Sequence, residues 1–522
     1  MKKFYIYSLF VLTLVASELQ GQELREVFVE PERIGILNDR ISGDTTDTGE
    51  RVNLNTVYVL RRNGVYKTTG EIQNPGFPLY IRAEEGDGAM PIIQPAATSG
   101  GESARPFTVL NDIRLEGLYI TSIDELGQYI QRILRVRADD VEMRIDNCWL
   151  DGSGQSAVRL DNVNAKVYIS NSIISNMGRP SVPNNGRVID CRTNTDSVVV
   201  RNCTVYNVTS RIIRLSGGRF LRYGEFMNNT IMNTGQTAIQ LDETIETVFV
   251  NNLMINAGFL GSVRSDDPFE IVPVGEAAVN TFPDVEQTAI IRNNLWYTQP
   301  EVVAARPDTV VDRPIYSSDV FLATDLDSAT LVDELTFSEP VNFENAPTPS
   351  AAVVSQMVID QATLDNLDDA TAPNWNLFGS PAFQLVDQTL ALPWQFPYSL
   401  SYSTTDFAAT AATDGGSLGD RNWPLKDLNP ITDLAELLPA QDDWMVFPNP
   451  SVGNQLYIQL SDDMIAQQIA ITNLLGQQML EVSASKSQKY IGVNTSSLNV
   501  GIYLVRVTEP NGKISTRKFI KK

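Results

Sequence analysis

One short phrase recurs along the middle of the chain, and it limits the fold more than any other feature. Arg144-Ile-Asp-Asn147-Cys-Trp-Leu, Tyr168-Ile-Ser-Asn171-Ser-Ile-Ile and Val199-Val-Arg-Asn202-Cys-Thr-Val share one pattern. Phe226-Met-Asn228-Asn-Thr-Ile-Met, Val250-Asn251-Asn-Leu-Met-Ile and Ile291-Arg-Asn293-Asn-Leu-Trp continue it. The leading asparagines are spaced 24, 31, 26, 23 and 42 residues apart. Each unit alternates β-branched residues, turns at Asn and resumes with a second short apolar stretch, which is strand, turn, strand. Repeats of this size fit one coil of a right-handed parallel β-helix, so the fold expected is all-β. Amides at equivalent turns can hydrogen-bond along a stack, and Asn147, Asn171, Asn202, Asn228, Asn251 and Asn293 are therefore expected to form a structural ladder. The sequons at Asn202, Asn207 and Asn228 fall in these columns and are taken as structural.

Another strand precedes each Asn strand. Aligned, these are Arg132-Ile-Leu-Arg135-Val-Arg137, Ser156-Ala-Val-Arg159-Leu-Asp161, Arg187-Val-Ile-Asp190-Cys-Arg192, Arg211-Ile-Ile-Arg214-Leu-Ser216 and Thr237-Ala-Ile-Gln240-Leu-Asp242. Residues such as Leu134, Val136, Val158 and Leu160 should face inward. Two outward columns remain: Arg135, Arg159, Asp190, Arg214, Gln240, and Arg137, Asp161, Arg192, Ser216, Asp242. Coils stack about 4.8 Å apart, so these arginines would form a row matching a repeating acidic sugar chain. The signs also alternate, as they would in a charge ladder that satisfies itself.

The same spacing bears on the cysteines. Cys148 and Cys203 share a column with Ser172 between them, about 9.6 Å apart and beyond disulfide reach, which points to buried free thiols.

Composition then removes whole classes of chemistry. Among 522 residues there are 63 Asp plus Glu, 40 Lys plus Arg and no His, for a net charge of -23. Such a charge disfavours nucleic acid. Without His, neither a Ser-His-Asp triad nor His-ligated zinc is available. Between Gln22 and Gln441 the only lysines are Lys67, Lys166 and Lys426, so arginine carries nearly all the positive charge of the repeat.

The ends carry transport signals. Met1-Lys2-Lys3, an apolar run from Phe4 to Ala16 and Ser17-Glu18-Leu19-Gln20-Gly21 mark 1–21 as a signal peptide. The run is too short to span a bilayer, and no later stretch approaches about 20 apolar residues, so no transmembrane segment is expected. The mature chain divides into the β-helix with its N-terminal cap (22–310), late coils and packed loops (311–441), and a small C-terminal β-sandwich (442–522). An insertion rich in Asp, Pro and Gly, about 258–284, fills the longest Asn spacing.

Two resemblances follow from particular residues. Phe447-Pro-Asn-Pro-Ser451, the Leu475-Gly-Gln turn, Gly501-Ile-Tyr-Leu-Val-Arg and the basic end resemble the type IX secretion sorting domain of Bacteroidetes. That implies the type IX machinery as a partner and delivery outside the cell or to its surface. Tyr58-Val-Leu, Gly64-Val-Tyr66, Ile81-Arg-Ala-Glu-Glu-Gly, Pro91-Ile-Ile and the Asn coils are similar to the chondroitinase-B and alginate lyase β-helix group. Those enzymes set a Lys base and an Arg beside a calcium held by Asn and Glu. In the present repeat Lys166 is the one lysine, and it starts an Asn strand away from the Arg columns.

Three functions stay open. The first is binding of an acidic polysaccharide through Arg135, Arg137, Arg159, Asp190, Arg192, Arg214 and Gln240. The second is degradation of such a polymer, as a lyase before a glycoside hydrolase. Its base would be Tyr223 or an arginine among Arg214, Arg219 and Arg222, the last two placed with Tyr223 in a Gly-flanked loop, while Asp161, Asp190 and Asp242 would serve a hydrolase. The third is a structural or adhesive surface role. No cofactor is expected beyond the calcium that the lyase resemblance would bring.

Overall fold

The computed structural model describes residues 24–97, 103–179, 185–215, 219–241, 243–260, 288–306, 330–332, 336–337, 339–363, 377, 384–386, 389–391, 396–427, 444–447, 449, 451, 454–460, 465–473, 477–483 and 490–521. The signal segment, Ser216, Asp242 and most of the 258–284 insertion lie outside them. The chain divides into two compact units, Met1–Leu428 and Asn429–Lys522.

The first unit is a parallel β-helix. Each coil visits three sheets in turn: a first of 11 strands, a second of 10 and a third of 6, all paired in parallel. The first sheet begins with Arg25–Val29 against Thr56–Leu60. A helix, Ile36–Ser42, follows that strand and buries Leu37 and Ile41 in the same core. Together they form the N-terminal cap a solenoid needs over its first open edge.

The repeat dictates the core. Ile145, Ile169, Val200, Phe226, Phe249 and Ile291 stack in register on successive first-sheet strands, and none is more than 1% exposed. Burying each such side chain contributes about 1.5–3 kcal/mol, which offsets the entropy of ordering its coil.

The leading asparagines do something other than ladder. Asn147, Asn171, Asn202, Asn228, Asn251 and Asn293 all adopt left-handed backbone, φ 48 to 59. They turn the chain from the first sheet to the second, and Asn tolerates this conformation better than other residues with a Cβ. Of the six, Asn202 reaches a fellow member, donating Nδ2 to Asn171 Oδ1 at 2.8 Å. Asn171 in turn donates to Asp146. The expected six-rung ladder is therefore corrected to a column of turns.

Continuous ladders lie elsewhere. One residue on, Asn229 Nδ2 donates to Asn252 Oδ1 and Asn252 Nδ2 to Asn294 Oδ1, both at 3.0 Å and buried. Earlier coils fill this column with Cys148, Ser172 and Cys203, and Cys148 N donates to Ser172 Oγ. Cys148, Cys191 and Cys203 are buried free thiols, and burial pushes Cys148 and Cys191 up to about 12. A second ladder joins Asn176, Asn207, Asn233 and Asn256 at 3.2, 3.1 and 2.9 Å inside the second sheet.

The second unit is a small antiparallel β domain. Met445–Phe447, Gln455–Gln459 and Tyr490–Asn494 form one sheet. Gln478–Ser483, Gln468–Asn473, Gly501–Thr508 and Ile514–Lys521 form the other. Trp444, Leu456, Ile458, Ile469, Ile471, Val505, Val507 and Phe519 make its core.

Candidate functional site: the arginine face

The three sheets present three different outer surfaces. On the second, Tyr119, Trp149, Tyr206, Met232 and Ile255 would be exposed apolar residues, yet each is buried. Residues 396–426 lie over them. Phe396 packs edge-on against Trp149 at 5.4 Å and Tyr206 at 5.7 Å, and Tyr398 against Tyr206 at 5.6 Å. The cover is fastened to the asparagine turns. Asn293 Nδ2 donates to Ala411 O, Asn251 exchanges two bonds with Thr413, and Asn202 Oδ1 accepts from Arg421 N. Asp420 accepts from Thr204 Oγ1 at 2.7 Å.

The first sheet neutralises its own charges. Arg144 pairs with Glu142 at 2.6 Å and lies over Tyr168, Arg201 pairs with Glu225, and Arg222 with Asp196 at 2.8 Å.

The third sheet is charged along its outer columns and carries a surplus. Gln73, Thr108, Arg135, Arg159, Asp190 and Arg214 stand in register on six successive strands, and the Ile213–Ile239 bridge brings Gln240 next. The order expected from sequence is thus present. Pairing crosses the columns instead of running down them: Asp161 accepts from Arg135 at 2.5 Å and from Arg159 at 2.6 Å. Asp190, expected to face outward, is buried and lies 3.1 Å from Arg192 and 3.7 Å from Arg187. Burial would raise the Asp161 carboxyl, but Arg159 and Arg135 outweigh it and hold the group below the usual range. Arg137 is exposed and makes no ion pair among the described residues.

Sequence alternation missed a second arginine row. Arg132, Ser156, Arg187 and Arg211 open the same strands in register. Strict period-two counting turns Ile133 outward, but Ile133 and Leu134 are both fully buried, because the chain rounds a corner as it enters the sheet. That corner brings Arg132 beside the predicted columns. Burial, with the charges of Arg159, Arg135 and Arg105, lowers Arg132 to about 10. Burial likewise lowers Arg187 to about 10, with Arg214, Arg211 and Arg192 acting against the pull of Asp190. Both stay protonated at neutral pH. The signal was available as the i, i+3, i+5 spacing of Arg132, Arg135 and Arg137.

The proposed catalytic group does not assemble. Arg222 and Tyr223 are in a strand of the first sheet, Leu221–Met227, rather than in a loop, and Arg219 lies just before it. Tyr223 pairs in register with Ser197, whereas Arg214 is on the third sheet. The Tyr223 hydroxyl donates to Glu225 at 2.6 Å, and burial together with that bond raises it to about 12. Lys166 starts the first-sheet strand Lys166–Ser170. Among the described residues no group of three or more Asp, Glu or Cys side chains gathers as a metal site.

Comparison with known proteins agrees with both architectural halves. Residues 133–271 match the family described as right handed beta helix region. Residues 445–522 match the secretion system C-terminal sorting domain. No curated protein and no solved structure matches the chain. The molecule is an exported β-helix protein, secreted or held at the cell surface, whose tail engages the type IX secretion machinery. No described helix is long and apolar enough to cross a membrane.

Proposed function

We propose that the protein binds an acidic polysaccharide along the outer face of the third sheet. One observation carries this: from Arg132 to Leu215 the strands and the residues just after them hold eight arginines, Arg132, Arg135, Arg137, Arg159, Arg187, Arg192, Arg211 and Arg214, and two carboxylates, Asp161 and Asp190. A positive surplus of this kind in a chain of net charge -23 favours an anionic ligand. Guanidinium groups repeated at the coil spacing suit carboxylates or sulfates repeated along a polymer, each bound by two parallel N–H donors. A self-satisfying ladder would instead need comparable numbers of both signs.

Binding is favoured over cleavage by the state of the candidate bases. Tyr223, raised to about 12, and Arg222, held above its ordinary value by its bond to the Asp196 carboxylate, keep their protons at neutral pH.

The test passes alginate, chondroitin sulfate, pectin and neutral glycans over immobilised protein. Wild type should retain an acidic polymer, and Arg159→Gln with Arg214→Gln should abolish retention. Salt should weaken it too, since exposed charges are screened over about 8–10 Å at physiological ionic strength. Retention that survives both the double replacement and high salt would move the site. Appearance of unsaturated sugar products would make the face catalytic, and retention of no glycan would favour the structural role.

A further inference from the structure

The arginine face ends in a cleft of about 350 Å³, formed where the chain leaves the second sheet for the third. Its wall includes Arg105, Arg179, Gln131, Tyr129, Glu71 and Asp124. The two carboxylates are already engaged. Glu71 accepts from Arg105 at 2.5 Å and from the Thr108 hydroxyl at 2.5 Å. Asp124 accepts from the backbone of Leu126 and Gln128 and from Ser103 Oγ, each at 2.9 Å.

The cations keep spare capacity. Arg179 makes no ion pair among the described residues, and the buried Nε atoms of Arg179 and Arg105 have no hydrogen-bond partner. An unpaired buried donor is costly, so an anion that engages these two guanidinium groups is favoured. Arg105 senses the charges of Arg135 and Arg137, which makes the cleft electrostatically continuous with the row.

Resting on the binding role proposed above, we infer that this cleft is a dedicated subsite for one acidic sugar unit. Arg179 and Arg105 take its carboxylate or sulfate, Gln131 offers a polar contact, and the half-buried Tyr129 ring lies against the sugar face. The volume is at the lower end of ligand pockets, about 300–1,000 Å³, which suits one or two sugar units and excludes a longer stretch. The row would then supply avidity along the polymer, and the cleft would supply recognition of a single charged unit.

The full chain should be titrated by calorimetry with glucuronate, galacturonate, glucose 6-sulfate and glucose. We expect one of the three anions to bind and glucose not to. Arg179→Gln should weaken that anion at least tenfold, and Arg179→Lys, which keeps the charge without the planar fork, should fall between. Arg159→Gln with Arg214→Gln should leave the small anion bound while removing polymer retention. If polymer is retained but no small anion binds, or if Arg179→Gln changes nothing, the cleft is not a subsite and the row stands alone. If a small anion binds through Arg179 and no polymer is retained, the subsite stands and the extended face falls.

Discussion

The second and third sheets are built by the same coils, yet their outer surfaces follow opposite rules. Outward positions of the second sheet hold Tyr119, Trp149, Tyr206 and Met232, and the chain's own residues 396–426 bury them. Outward positions of the third hold Arg135, Arg159 and Arg214, which stay partly exposed. Stability accrues to the covered surface through apolar burial, whereas the open one spends its positions on charge whose mutual ion pairs are worth little at a wet surface. A solenoid can therefore divide labour between faces of one coil, because neighbouring strands in a coil share a core but not a surface.

Substitutions should expose that division. The largest effect is expected from Tyr206→Ala, which removes a ring that is 1% exposed and packed between Phe396 and Tyr398. It should cost about 3–5 kcal/mol in denaturant unfolding. A loss below about 1 kcal/mol would mean that residues 396–426 do not seal this surface.

The two surfaces should also respond to acid in opposite directions. Burial raises Asp151 and Asp420 to about 6 despite hydrogen bonds to each carboxylate. Protonation is then favoured in the folded state, so their contribution is fully present below about pH 4 and is lost as pH rises to about 6. The change is on the order of 2–3 kcal/mol per group at 1.36 kcal/mol per pK unit. Asp161, held low by Arg159 and Arg135, contributes stability above about pH 4 and loses it as pH falls below. Melting temperature followed from pH 3.5 to 7 should decline toward neutrality, and Asp420→Asn should flatten the curve. A wild-type curve that rose through this range would contradict the placement of Asp151 and Asp420.

A smaller loss is expected at the fastening itself. Asn251→Ala removes two bonds to Thr413 and forces alanine to φ 59, costing about 2 kcal/mol. Asn251→Gly keeps the turn and should recover part of it. Equal losses for Ala and Gly would show that the bonds alone matter. Least of all, Arg159→Gln on the open surface should change stability by about 0–1 kcal/mol, and a larger loss would recast that arginine as structural.

The fold was legible because the Asn phrase fixes both coil length and register, and register alone brought Arg135, Arg159, Asp190 and Arg214 into line. Four things were not. Arg132, Arg187 and Arg211 were missed because alternation fails at a corner, where Ile133 and Leu134 both enter the core. The cover was missed because residues 396–426 carry no period, and the Thr204–Asp420 bond joins positions 216 apart. The role given to Asn251 and Asn293 erred for the same reason, since their partners Thr413 and Ala411 lie outside the repeat. Tyr223 was misplaced because flanking glycines suggested a loop where Leu221–Met227 is a strand.

In a stack where each coil touches only its neighbours, disorder can start anywhere and spread one coil at a time. Residues 411–421 alter that arithmetic, since they are bonded to the turns at Asn293, Asn251 and Asn202 together. No coil in that span can open without releasing a tie shared by the others. Amide protons from about Asn202 to Asn293 should therefore exchange as one block. The coils before Asn147 lack any described tie of this kind, and they should fray rung by rung from the end.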